Sequence, residues 1–231
     1  MYRSRLRFLL LDKLEKDLDI RLENKQLEYL FNDDEVALFL TPRRYGKDMV
    51  TAMRIAIKMI EKPGVRIGVA VATTCQANLF LKRLDETLSV LLRDFPVVSK
   101  THHTKNPHRI ELSNRSMVYV IPVNNFEYGM RGQRFDEGYI MDPSCMKNAR
   151  EVYEIMSCTR LCSEDGKTIV VDTPRPNFEL LDGLMRANYV TKIHVIRDHS
   201  PRLKAIDVSS IRNDIDDVTY RSEILGEYRY N

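Results

Sequence analysis

Short apolar runs alternate along this chain with longer stretches whose apolar positions recur every three or four residues. The runs at 35–40 (EVALFL), 66–72 (RIGVAVA) and 167–172 (KTIVVD) are apolar nearly throughout. That is the pattern of strands buried on both faces. Residues 138–141 add a shorter strand ending at Asp142. Residues 109–112 and 117–122 read as a strand pair joined by Ser113-Asn114-Arg115-Ser116, and 190–196 alternates as a strand does. Helical periodicity covers about 5–31, with a break near Asp19, then 48–61, 76–93, 148–161 and 178–187. In 48–61 the apolar face is Met49, Val50, Met53, Ile57 and Ile60, and Pro63-Gly64 stops the helix. The tail from about 205 to 231 is polar and expected to be helical in part. Strand followed by helix, several times over, predicts an α/β fold with a mostly parallel central sheet and helices on both faces.

Composition narrows the class. The 231 residues suffice for one large α/β domain or two small ones. Hydrophobic residues make up 43% and charged residues 30%, as in soluble globular proteins. No apolar run reaches the roughly 18 residues of a membrane span, so no membrane partner is expected. The basic start and short apolar run of MYRSRLRFLLLDKLEKDLDI are followed by charges, not by a small-residue cleavage site, and read as an amphipathic helix. The net charge of +3 does not by itself call for nucleic acid. Cys75, Cys145, Cys158 and Cys162 form no disulfide framework, and Cys158-x-x-x-Cys162 lacks a second ligand pair for zinc. They are expected to be buried free thiols in a reducing, intracellular setting.

The candidate chemistry centres on TPRRYGKD, residues 41–48. It follows a buried strand and opens a helix, the context in which G-x-x-x-x-G-K-[ST] wraps a phosphate. Gly46 and Lys47 match that pattern, while Thr41 takes the place of its first glycine. The helix start offers free N–H groups and partial positive charge. Lys47 is placed to reach the β- and γ-phosphates, with Arg43 and Arg44 beside it. Asp48 replaces the hydroxyl that normally holds Mg²⁺. A carboxylate binds that ion directly, but its charge should weaken nucleotide binding when the metal is absent. The plainer reading is a basic turn with a first-turn acid that suits the helix dipole.

Two strand ends complete the picture. GYIMD places Asp142 where phosphate-loop enzymes hold Mg²⁺ through a water. The following residue should be the glutamate that orients attacking water, and here it is Pro143. Asp136-Glu137 lies just upstream, with Glu137 as a substitute base. KTIVVDTPRP ends in Asp172-Thr173-Pro174, where Thr173 is placed to sense a γ-phosphate or simply to begin a turn.

Taken in order, these segments resemble the ATPase domain of large terminases, the DNA-packaging motors of tailed phages and herpesviruses. PRRYGK is similar to that family's phosphate loop, and Gln26 to its adenine-side glutamine. VAVATTCQANLFLKRL, IELSNRSMVYVIP, MRGQRFDEGYIMD and KTIVVDTPRPN resemble its successive core segments. TYRSEILGEY resembles its junction with a nuclease domain, whose own carboxylates are absent here. The resemblance covers roughly residues 20 to 230. It implies a RecA-like phosphate-loop ATPase core of the additional-strand, catalytic-glutamate type at about 32–200. A small lid would come from about 1–31 and 201–231, all in one domain. It implies ATP and Mg²⁺ as cofactors, with Gln26, Thr41, Arg43, Arg44, Gly46, Lys47 and Asp48 around the nucleotide. Asp142 and Asp48 would hold the metal, Thr173 would act in coupling, and Arg131 would be an arginine finger for a neighbouring subunit. The implied partners are double-stranded DNA, a viral portal and procapsid, a small terminase subunit and further copies in a ring. The setting would be an infected cell, in the cytoplasm for a phage or the nucleus for a herpesvirus-like virus. The departures at Asp48 and Pro143 imply impaired hydrolysis. The alternatives are a non-hydrolysing structural or regulatory relative and a helicase-like translocase, although no helicase motif follows residue 175.

Overall fold

The computed structural model describes residues 2–94, 98, 100–105, 108–123, 133–159, 163–176 and 178–228. Two helices, α1 (Tyr2–Asp17) and α2 (Asn24–Phe31), precede β1 (Val36–Leu40) and α3 (Lys47–Glu61). Then come β2 (Arg66–Val71), α4 (Thr74–Asp94), β3 (Lys100–Lys105), β4 (His108–Leu112) and β5 (Met117–Pro122). The last long elements are β6 (Glu137–Met141), α5 (Ala149–Thr159), β7 (Lys167–Asp172), α6 (Glu179–Arg186) and β8 (Thr191–His194). Asp19, with φ of 50°, breaks the chain between α1 and α2 at the expected place.

The strands form one eight-stranded sheet in the order β3-β4-β5-β2-β6-β7-β1-β8. From β5 to β8 every pairing is parallel, and only β4 runs antiparallel to its two neighbours. The near-continuous apolar strands are explained by cover on both faces. Along β1, Ala37 and Phe39 enter a cluster with α1–α4, while Val36, Leu38 and Leu40 enter a second cluster with α5 and α6. The sequence assigned about 1–31 and 201–231 to a lid. Leu10, Leu14 and Tyr29 are fully buried in the same cluster as Met53 and Ile55 of α3, so α1 and α2 also wall the core. The C-terminal segment crosses the phosphate-loop candidate. The buried guanidinium of Arg54 fixes the wall by donating to the carbonyls of Leu30 and Asn32 at 3.2 and 2.6 Å and to Tyr139 Oη at 3.0 Å. Those carbonyls at and beyond the end of α2 have no partner within the helix, which is where a cation is most useful.

Beyond β8 the chain makes short turns at Pro201–Lys204, Ser209–Arg212 and Asp217–Thr219, and a π-helical turn at Tyr220–Ile224. It then returns to the sheet at Gly226. A Cβ at that residue would meet the Val195 carbonyl oxygen at 2.5 Å, and its φ is 77°. Only glycine sits there without strain. The thiols also depart from expectation, since Cys75, Cys145 and Cys158 are exposed. Cys162 lies outside the described residues.

Candidate active site

Parallel strands present their carboxyl ends on one edge of the sheet, where open α/β proteins bind ligands. The loop from Thr41 to Gly46 leaves β1 at this edge. Arg44 (φ 66°) and Gly46 (φ 88°) are both left-handed, so the backbone doubles back before α3 starts at Lys47. Gly46 supplies that bend at no steric cost. The loop is tied from below and above. The Thr41 N–H donates to the Asp172 carbonyl at 3.0 Å, and the Arg43 N–H to the Glu223 carbonyl at 2.7 Å. The ring of Tyr45 is buried, and its carbonyl accepts from Gln26 Nε2 at 2.8 Å and from the Arg202 guanidinium.

Lys47 is the centre of the arrangement. Its Nζ lies 3.0 Å from Asp142 Oδ1 at the end of β6 and donates to Thr173 Oγ1, also at 3.0 Å, beyond the end of β7. Three residues singled out from distant segments therefore meet at one ammonium group. Asp142 takes φ of 51°, and its N–H donates to the Val171 carbonyl at 2.8 Å, so its side chain turns off the strand end. Asp48 leans the other way, towards Arg83 of α4 at 3.4 Å. Asp48 and Asp142 line one cleft of about 290 Å³ with Gln76, Arg83 and Glu86. The surrounding chain pushes the Asp48 carboxyl above its ordinary range, with Asp142 adding to the rise and Lys47 and Arg83 opposing it. Two carboxylates facing one cleft fit Mg²⁺, which takes one or two of them and keeps several waters. When bound, that ion would neutralise charge on a polyphosphate. Asp142 and Asp48 are the groups that would hold it.

Arg43 and Arg44 are exposed beside Lys47. They line a second cavity, of about 570 Å³, that runs from the loop under the C-terminal segment. Arg43 pairs through Nε with Glu223, whose other oxygen lies 3.5 Å from Arg175. A carboxylate thus stands between two guanidinium groups beside the loop. Arg131 lies outside the described residues, and Arg134 is exposed.

Several expectations are corrected. The Gln26 amide is not turned towards a ligand. It is fully buried, its Nε2 on Tyr45 and its Oε1 accepting the Glu23 N–H at 2.9 Å, so it shapes the loop from beneath. Thr41 is also fully buried, its hydroxyl without a partner among the described residues. Glu137 cannot serve as a base at this edge. It opens β6 at the opposite end of the strand from Asp142, buried beside Lys58 at 3.1 Å and Tyr139 Oη at 2.8 Å. Its neighbour Asp136 accepts the Arg66 N–H at 2.8 Å. Pro143 begins a short 3₁₀ turn and offers no carboxylate.

Asp172 was visible only as the last letter of a strand. It is fully buried next to Asp142, and burial, then that neighbour's charge, pushes its carboxyl up to about 7. Three donors pull the other way: the Ser144 N–H and hydroxyl at 2.9 and 2.8 Å, and the Thr173 N–H at 2.7 Å. In the unfolded chain an aspartate titrates at roughly 3.9. The proton is held more tightly by the fold, so its stabilising contribution is complete at acid pH and fades as pH rises through about 7. The side chain of Asp172→Asn does not ionise. In magnesium-free urea unfolding, this variant should gain on the parent between about pH 4 and about pH 8, by at most about 4 kcal/mol. A difference that stays constant with pH contradicts that account.

The sheet order, the bent loop and the strand-end acids together define a RecA-like α/β fold. Comparison with solved structures gives the same class. The chain is similar to the large terminase ATPase domain of Thermus phage P74-26, with 16% identity over 93% of this chain and 96% of that one, and a TM-score of 0.78. The large terminase of a thermophilic bacteriophage matches with 14% identity, over 90% of this chain and 54% of that one, at a TM-score of 0.68. That of bacteriophage HK97 matches with 13% identity, over 90% and 51%, at 0.63. The chain therefore has the fold of large terminase ATPase domains, and it spans about half the length of the latter two. No family model and no curated protein matches the sequence.

Proposed function

We propose that this chain is the ATPase domain of a viral DNA-packaging terminase large subunit, one that binds ATP with Mg²⁺ and hydrolyses it slowly. The observation that carries the reading is the position of Lys47. Its ammonium group stands between a strand-end acid and a strand-end hydroxyl, in front of a helix N-terminus. A triphosphate entering there meets Lys47, the exposed guanidinium groups of Arg43 and Arg44, and the first N–H groups of α3, which have no partners within the helix. Such groups stabilise charge on the transferring phosphoryl oxygens. Asp142, released from Lys47 by the phosphates, becomes available to the metal with Asp48. Thr173 follows β7, whose Asp172 carbonyl holds the loop, and is the group through which phosphate occupancy reaches the sheet.

Slow hydrolysis follows from Pro143. Loss of a water-positioning acid removes about two orders of magnitude or more in rate, and no carboxylate among the described residues replaces it at that strand end: Asp172 is closed in by its three donors. Translocation of double-stranded DNA into a procapsid, a ring with Arg131 reaching a neighbour, and contacts with a portal and small subunit belong to the same proposal. They rest on the terminase fold and the ordered motifs. Steady-state ATP turnover, with and without double-stranded DNA, tests the reading. Slow, magnesium-dependent release of phosphate that disappears in Lys47→Ala supports it. Turnover that survives the substitution overturns it.

A further inference from the structure

We infer that Arg202 is a positioning residue for phosphate: it holds the Tyr45 carbonyl outward and so aims the Gly46 N–H at a bound polyphosphate. The inference rests on the nucleotide reading above and deepens it. A peptide group is planar and trans, so the carbonyl of one residue and the N–H of the next point in opposite directions. Whatever grips the Tyr45 carbonyl therefore sets the direction of the Gly46 N–H. Two donors grip it, Gln26 Nε2 from α2 and the Arg202 guanidinium from the C-terminal segment. A Cβ built on Gly46 would stand 3.4 Å from Gln26 Nε2 and 3.5 Å from Arg202 Nη2, so both donors press on one side of the bend. The Gly46 N–H is sent to the other side, next in line to the N–H groups that open α3.

Arg202 is itself fixed for this grip. Its N–H donates to Glu23 Oε1 at 3.2 Å, and the same oxygen accepts the Ser200 hydroxyl at 2.8 Å. Leu203, the next residue, is buried. The guanidinium lies over the buried Tyr45 ring, 5.7 Å from its centroid. A cation on the carbonyl also polarises the peptide, which strengthens its N–H as a donor. The grip extends to Arg44, whose left-handed φ of 66° costs a non-glycine residue energy and persists only where the surroundings hold it. Arg202 Nη2 donates to the Arg44 carbonyl at 3.3 Å, from 158 residues away in sequence.

Amide NMR of the isotope-labelled whole chain, titrated with tripolyphosphate and magnesium, tests this. In the parent the Gly46 amide proton is expected to move downfield as it donates to the bound anion. Arg202→Met should weaken tripolyphosphate binding by about ten-fold, the loss of roughly one aimed hydrogen bond to a charged group. It should also shrink the Gly46 displacement at saturation. Arg202→Lys keeps a cationic donor and should restore most of both. Lys204→Met removes an exposed charge from the same short turn and should change neither. A parent whose Gly46 signal ignores the bound anion overturns the inference and leaves the phosphate-loop reading standing. So does an Arg202→Met chain that binds and shifts as the parent does, or an Arg202→Lys chain no better than Arg202→Met. A Lys204→Met chain weakened as much as Arg202→Met overturns it too, since charge alone then accounts for the effect. If tripolyphosphate does not bind the parent at all, the phosphate-loop reading itself falls, and this inference with it.

Discussion

Replacing Lys47 by alanine is expected to weaken magnesium–ATP binding by about 100-fold, while thermal unfolding hardly moves. The size follows from the contacts that are lost. A hydrogen bond to a charged group is worth roughly 1.5–3 kcal/mol, and every 1.4 kcal/mol is a factor of ten in affinity. Two such bonds from one ammonium group to β- and γ-phosphates therefore account for two orders of magnitude. In the parent chain Lys47 is also the cation that Asp142 touches at 3.0 Å. Without it, Asp142 and Asp48 face the same cleft with no ammonium between them, and an incoming polyphosphate meets two carboxylates. The fold itself depends little on this pair. Both side chains keep access to solvent, and pairs near the surface contribute about 0–1 kcal/mol. Calorimetry reads the affinity and a thermal scan reads the stability. Undiminished affinity would move the nucleotide away from the loop.

The second large effect runs in the opposite direction. Asp48→Ser combined with Pro143→Glu should raise ATP turnover by at least about 100-fold, the typical yield of a positioned general base. Pro143 sits at the start of a 3₁₀ turn, where no hydrogen bond within the turn depends on its missing N–H, so an ordinary residue keeps the turn's own bonds although the position is buried. The new carboxylate emerges next to Asp142. The turn that carries it is anchored independently, because Ser144 holds the Asp172 carboxylate with both its N–H and its hydroxyl. At position 48 a hydroxyl removes a charge from the phosphate site. The contact that it gives up, Asp48 with Arg83 at 3.4 Å, is half exposed and worth little. Phosphate release under saturating ATP is the readout. If the double variant is no faster than its parent, GYIMDP is not the acidic strand of a motor ATPase.

Most of the sheet was legible because its strands are apolar on both faces. EVALFL, RIGVAVA and KTIVVD became β1, β2 and β7 with shifts of a residue at most, and the helices followed from their periodicity. The strand that escaped, β3, reads KTHHTK. It pairs with β4 alone at the sheet edge, and polar residues there carry no burial pattern for sequence reasoning to find. The role of α1 escaped for a different reason. Its apolar positions were evident, but nothing in them says that Leu10 and Leu14 share a cluster with Met53 and Ile55 of α3.

The site divides in the same way. Lys47 opens the helix after β1, and Asp142 and Thr173 sit just beyond strand ends, so local pattern sufficed to single them out. Asp48 lies in the first turn of α3, and its lean towards Arg83, 35 residues away in sequence, depends on how α3 and α4 pack. Gln26 shows a signal that was present but not used. Glu23 and Gln26 stand three residues apart at the start of a helix and form a reciprocal cap, with the Gln26 side chain on the Glu23 N–H. That spacing favours a buried, inward amide. Arg202 and Glu223, which tie the C-terminal segment to the loop, carry no local mark at all, since their partners lie more than 150 residues away.

A crystal structure of this chain with a non-hydrolysable ATP analogue and Mg²⁺ tests the central claim most directly. The account predicts β- and γ-phosphates over the start of α3 within hydrogen-bonding distance of Lys47 Nζ, with Asp142 turned from Lys47 towards the ion. A fully soaked crystal in which Lys47 still bridges Asp142 and Thr173, with the analogue bound elsewhere or not at all, would contradict it.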